Sequence, residues 1–359
     1  TGFQRSFLEL PRELPGFLVV FVSALLWFLS SRRLGAFALG LSVVGVLLIG
    51  FIPSTYAVMT LCLFIYSLGM HLFIPVSATI GMELAHEGQT GRRLGQLNAI
   101  RNAATILGSF VVLLGFRFLG FRFQHTFILT AIGLGVAAVL MFKMKPDVAQ
   151  KPKTFLKLHK EYRLYYILTV LSGSRKQIFL TFAPWVIVSI FKQPTQTIAT
   201  LMTLGGVIGI LFQPVLGRAI DRYGERLIMQ IEAVMLVVVC LGYGFSKFLF
   251  PEKTAFLLIC GFYLLDQMLM SVNMARSMYM KKIALDKSHV QAALTAGVTI
   301  DHLFSISLAL LGGVIWNAFG FQYVFLLGIL IAALNFLAAS FVRIPLRQPP
   351  VGGEILIME

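Results

Sequence analysis

The chain has 359 residues, of which 58% are hydrophobic and only 13% charged, and its mean hydropathy is +0.85. That composition excludes a soluble globular domain and predicts an all-α, polytopic membrane protein, because apolar runs of about 20 residues are what cross a bilayer's hydrocarbon core. Thirty Lys and Arg against fifteen Asp and Glu give a net charge of +15; the excess invites a nucleic-acid partner, but its placement between apolar runs argues for membrane topology instead.

Windows of about 19 residues predict eleven spans. The first, 15–31, leads into Ser30-Ser31-Arg32-Arg33-Leu34-Gly35 and the second, 34–52. Span 56–82 carries Tyr66, His71 and Pro75, span 97–119 carries Asn98, Arg101 and Asn102, and span 124–142 has no ionisable residue besides His125. A basic stretch from Lys143 to Lys160, with Pro146 and Pro152, reads as a connection. Span 163–191 is interrupted by Gly173-Ser174-Arg175-Lys176-Gln177 and bent at Pro184-Trp185. Span 197–219 contains Gly205-Gly206, Gly209 and Pro214, and is followed by the charged turn Gly217-Arg218-Ala219-Ile220-Asp221-Arg222-Tyr223-Gly224-Glu225-Arg226. Span 227–246 holds Glu232, expected to snorkel or to pair near the cytoplasmic interface; span 254–280 holds Asp266, Gln267, Asn273 and Arg276; span 291–315 holds Thr299, Asp301, His302 and Gly312-Gly313; the last is 321–342.

An offset of 198 aligns the two halves: Phe123, Gln124 and Phe127 fall on Phe321, Gln322 and Phe325, and span 56–82 falls on 254–280. Span 163–191 has no partner, because its partner would precede residue 1. The intact protein is therefore expected to have twelve helices in two six-helix halves, with the first helix absent from this chain. The halves would be 1–142 and 161–345, joined by a linker at 143–160 and followed by a tail at 346–359.

The turn from Gly217 to Arg226 has a Gly, an Asp-Arg pair four and five residues on, then a Gly and a basic residue. It resembles the signature loop of the major facilitator superfamily of secondary transporters, and the two parallel six-helix halves are similar to that architecture. The resemblance implies a two-bundle helical fold with a gating motif at Gly217, Asp221, Arg222, Gly224 and Arg226. Asp221 would accept hydrogen bonds at a neighbouring helix amino terminus, where the macrodipole favours an anion. In the family that neighbour is helix eleven, here span 291–315. The first-half counterpart keeps Arg32, Arg33 and Gly35 but has no Asp, so the role passes to Asp221 alone.

The resemblance also makes spans 56–82, 163–191 and 254–280 the lining of a central cavity. A solute would then meet Tyr66, His71, Arg175, Lys176, Gln177, Asp266, Gln267, Asn273 and Arg276, with Asn98, Arg101 and Asn102 added from span 97–119. Ionisable groups at membrane depth cost about 2.5–3.5 kcal/mol on insertion scales, which makes each one a functional hypothesis. Arg175 and Asp301 reach a similar depth and are placed to pair. For Asp301 two readings stand: a structural ion pair with Arg175 or Arg276, or a proton-coupling carboxylate with His302 beside it.

With the motif side taken as cytoplasmic, nineteen Lys and Arg fall on that side and seven on the other, in keeping with the positive-inside rule. A multi-pass protein of the plasma membrane with a cytoplasmic carboxyl end is expected. Its partners would be the lipid bilayer, a small organic solute, anionic or drug-like, and protons as coupling ion; it would act as a monomer, without nucleic acid. No Walker loop or paired His and Glu at metal spacing is present, so no enzyme, cofactor or metal is expected. Cys62, Cys240 and Cys260 lie in apolar spans without paired spacing and read as packing residues. The rival function is a scaffold or sensor that keeps a transporter fold.

Overall fold

Lipid offers no hydrogen-bond partners to a peptide group, so an apolar segment that crosses it must satisfy its backbone internally, as a helix does. The computed structural model describes residues 9–52, 55–145 and 158–344, and every long regular element among them is helical. In order these are α1 (Glu9–Leu25), α2 (Ser31–Phe51), α3 (Tyr56–Glu83), α4 (Thr90–Phe118), α5 (Phe123–Lys143), α6 (Arg163–Trp185), α7 (Thr195–Tyr223), α8 (Glu225–Leu249), α9 (Glu252–Met270), α10 (Asn273–Ile283), α11 (Lys287–Phe319) and α12 (Phe321–Ser340). Local chemistry sets several boundaries. The Asp286 side chain accepts from Ser288 N at 2.7 Å to start α11. Gly224, at φ 83°, separates α7 from α8 by a single residue that a side chain would strain.

The eleven predicted spans correspond to these helices, with α9 and α10 forming one crossing. The expected continuous span 254–280 is instead broken at Ser271 and Val272. The chain there tightens into three-residue turns, with Val272 N donating to Leu269 O at 3.1 Å and Ala275 N to Val272 O at 2.8 Å. Near the other end of α6, Pro184 removes an amide donor and the helix widens into a π turn at Val186–Ile190. Nine helices among the described residues are long and apolar enough to cross a membrane, counting α9 and α10 together; α1 adds a shorter apolar run, Leu14–Leu25.

Packing repeats between the halves. In the first, α2 lies against α3 and α5; in the second, α8 lies against α9 and α12. Across the halves the main seams are α4 on α7 and α1 on α11. One apolar cluster sits within the second half, around Phe182, Val239, Ile259 and Phe325. Another spans both halves near the Gly217–Arg226 turn, joining Met82 and Leu94 to Met274 and Met278. The expected tail at 346–359 lies outside the described residues, as does most of the expected linker, residues 146–157.

The α4–α7 seam depends on glycine. A Cβ at Gly217 would run into the Gly91 carbonyl oxygen, and one at Gly95 would meet the backbone of Gln213. Helices in lipid associate by such close packing of small residues. Gly217→Val is expected to pry the seam open. The check is maleimide labelling of a cysteine placed at Ala292, which is 3% exposed between α1 and α11, in a background without the three native cysteines. Labelling should accelerate severalfold; an unchanged rate would show that the seam tolerates a side chain.

Candidate functional site

Among the described residues, the second half holds three ion pairs within its predicted spans. Arg175 of α6 donates to Asp266 Oδ1 of α9 at 2.6 Å, and the two residues are 4% and 5% exposed. Arg276 of α10 donates to Glu232 Oε2 of α8 at 2.7 Å, with exposures of 2% and 1%. Lys176 of α6 pairs with Asp301 of α11, and here 31% and 20% of the side chains remain exposed. Consecutive residues on a helix point about 100° apart, so Arg175 turns into the bundle core and Lys176 toward α11.

These pairings correct two expectations and decide a third. Arg175 does not pair with Asp301: its azimuth aims it at α9. Asp301 takes Lys176 rather than Arg175 or Arg276. Glu232 does not snorkel: of its two expected readings the structure shows the paired one, as the buried counterion of Arg276, and burial of one without the other would leave an uncompensated charge.

Asp301 lies where α6 and α11 cross closely. A Cβ on Gly173 would come within 2.9 Å of Asp301 Cγ, and Ser305 Oγ donates to Gly173 O at 3.1 Å. The next residue, His302, reaches the first half: its ring centroid is 4.7 Å from that of His71, and it packs on Gly16 of α1. His71 Nδ1 also lies 3.0 Å from Ser67 Oγ. The expected proton-coupling pair is thus adjacent to a contact between halves. Of the remaining cavity candidates, Gln177 Nε2 donates to Thr181 Oγ1 at 2.7 Å, Gln267 packs against Gly205, Asn273 is exposed at the start of α10, and the Tyr66 backbone packs on Gly45. The structure therefore gathers Lys176, Asp301, His302 and His71, and holds Arg175, Asp266 and Arg276 in the interior of the second half.

At the motif turn, Asp221 accepts from the backbone N–H groups of Gly91 at 2.8 Å and Arg92 at 2.7 Å. Both belong to the first turn of α4, whose leading amides have no partner within the helix. The expected neighbour, the start of the 291–315 span, is replaced by α4 because the glycine seam brings Gly91 against Gly217. Gly224 supplies the positive φ, Arg226 is exposed, and the Arg222 guanidinium lies 5.3 Å from the Tyr223 ring centroid.

A second contact in the same place was not foreseen. Lys281 Nζ, at the end of α10, donates to Met82 O at 2.8 Å and to Thr90 Oγ1 at 3.0 Å. In the first half, Arg32 pairs with Glu83 at 3.2 Å and Arg33 stacks on the Phe142 ring, 3.8 Å from its centroid, so the basic pair without an acid binds within its own half. The basic pair Lys281-Lys282 at a helix end was the one available sequence signal for the Lys281 contact. Lys282 turns back to Glu225 at 2.6 Å.

Comparison with known proteins completes the picture. A search of curated proteins finds no match. Among solved structures the chain is similar to a Major Facilitator Superfamily transporter, FucP, in the outward conformation, at 14% identity and a TM-score of 0.75, covering 96% of this chain and 91% of that one. A variant of the E. coli fucose:proton symporter FucP gives the same identity and score, covering 95% and 91%. The human organic anion transporter MFSD10 (TETRAN) gives 13% and 0.69, covering 94% and 83%. These identities speak for the fold. A family model described as Major Facilitator Superfamily matches residues 165–355, more than half of the sequence and nearly all of the half that carries the signature turn and the three ion pairs. With its two packed bundles and its helical passes, this multi-pass membrane chain belongs to the Major Facilitator Superfamily of transporters.

Proposed function

We propose that this protein is a secondary active transporter that moves a small organic solute by alternating access, coupled to protons through Asp301. The observation that carries the reading is the contrast among the ion pairs. Two are sealed within the second half, whereas Lys176–Asp301 is only partly enclosed by the protein and sits one residue from the His71–His302 contact. A proton arriving at Asp301 removes its charge and frees the Lys176 ammonium, which a second state of the α6–α11 crossing can then satisfy differently. A pair that must exchange partners needs room around it and proximity to the interface between halves, and only this one has both among the three. The nineteen-to-seven charge split supports a cytoplasmic location for the motif face and carboxyl end, in a plasma membrane. The packing supports domain limits near 142 and 161, with the intervening basic segment as linker.

The test is uptake into proteoliposomes of a labelled panel of sugars, carboxylates and organic cations, with and without an imposed pH gradient. At least one solute is expected to accumulate with the gradient in wild type. Asp301→Asn should abolish acceleration by the gradient while leaving solute exchange intact. Gradient-driven accumulation that persists in Asp301→Asn would make Asp301 structural, and a protein that moves no member of the panel would favour the scaffold reading.

A further inference from the structure

Four basic side chains lie four or more residues inside a predicted span: Arg101, Arg175, Lys176 and Arg276. The last three are matched by Asp266, Asp301 and Glu232. Arg101, in the middle of α4, has no ion-pair partner among the described residues and is exposed. A cation at that depth without a counterion is costly unless something else supplies the charge.

Its direction follows from its neighbours on the same stripe. Thr90, Leu94 and Arg101 fall within about 40° of one another around α4, at 100° per residue. Thr90 receives the Lys281 hydrogen bond, and Leu94 packs in the cluster that contains Met274 and Met278 of α10. Arg101 therefore continues a stripe that faces the second half. Counting from the Thr90–Lys281 contact at about 1.5 Å per residue along both helices brings Arg101 level with Met270 and Ser271, the break between α9 and α10. Beside it on the α4–α7 seam are two amides. Asn102 Nδ2 lies 2.7 Å from the position a Cβ on Gly209 would take, and Gln213 Nε2 lies 3.4 Å from the same point. Gln213 is 7% exposed, and its Oε1 has no hydrogen-bond partner among the described residues. A buried amide oxygen left without a partner calls for an explanation.

We infer that Arg101 is the charged element of the solute site, and that the solute class is a small organic monocarboxylate. The unmatched charge selects a monoanion: the second-half pairs are neutral as sets, which leaves Arg101 the one cation four or more residues inside a span with no ion pair among the described residues. The guanidinium fork matches a carboxylate in a bidentate manner, which a point-charge ammonium does not. Asn102 and Gln213 provide neutral donors and an acceptor beside it for the remainder of the solute. The inference rests on the transporter reading above.

The experiment is thermal unfolding of the purified protein with a defined set of small monocarboxylates, each paired with its neutral amide, since a ligand of the folded state raises the melting temperature. At least one acid should raise it where its amide does not. Arg101→Gln should weaken that acid at least tenfold, and Arg101→Lys should keep part of the affinity. If Arg101→Gln alone is unstable without ligand, Arg101→Lys decides, because loss of the bidentate geometry still predicts weaker binding at retained charge. Equal affinity in the variants, or a response to neutral or cationic solutes alone, overturns the inference. The two readings separate in proteoliposomes. Arg101-dependent binding without flux would keep the site and sink the transporter reading, whereas flux of a solute indifferent to Arg101→Gln would keep the transporter and sink the site.

Discussion

Arg276→Met is expected to destabilise the folded protein by about 3–5 kcal/mol, the usual consequence of stranding one member of a buried ion pair. Glu232 is 1% exposed, and Arg276 is the cation that the structure sets against it. Adding Glu232→Leu should recover most of the loss, because the penalty comes from an uncompensated buried charge rather than from the missing attraction. Arg175→Met and Asp266→Leu should behave the same way, singly damaging and jointly tolerated. Lys176→Met provides the contrast: its pair is partly exposed, and such pairs contribute about 0–1 kcal/mol. That variant should therefore fold normally and lose gradient coupling. Thermal unfolding in detergent, followed through the three native cysteines as they become reactive, measures all of these. A single Arg276→Met variant as stable as wild type would remove the distinction between sealed and working pairs on which the proton-coupling proposal depends.

That distinction was out of reach of the sequence, and the reason is geometric. A span is a property of one segment, so the apolar runs, their number and the charged turn could be read directly. Height along a helix is also readable, and it placed Arg175 and Asp301 together. Azimuth is not readable, because it depends on how helices are rotated against one another. Arg175 and Lys176 stand at nearly the same height but about 100° apart, and that angle sends one to Asp266 and the other to Asp301. The same limit explains Asp221. An acid at the end of α7 needs a helix amino terminus, and both α4 and α11 begin on that face; only the close approach of Gly91 to Gly217 selects α4. The break between α9 and α10 escaped for a different reason, since Met270-Ser271-Val272-Asn273 contains neither Gly nor Pro to announce it.

Removing either half of the contact around the α3–α4 turn is expected to release the closed motif face. Asp221 grips the amino end of α4 through two backbone amides, and Lys281 grips the carboxyl end of α3 through the Met82 carbonyl. Each charge thus meets the helix end whose unpaired groups and dipole favour it. The residues belong to the second half and the turn to the first, so the bonds exist only while the two halves are together on this face. Hydrogen bonds to charged groups are worth about 1.5–3 kcal/mol, and partial exposure here reduces that to roughly 1–2 kcal/mol per side chain. Asp221→Asn and Lys281→Met should each raise the labelling rate of a cysteine at Ala292 about tenfold, since 1.4 kcal/mol is a factor of ten in an opening equilibrium. Because the two side chains hold opposite ends of one turn, their effects in the double variant should fall short of multiplying, the mark of a shared element. Solute preference should stay as in wild type, as neither residue approaches Arg101 or Asp301. Labelling that stays slow in both variants would show that the glycine seam closes this face unaided, and a change in preference would place the contact in the solute site instead of the gate.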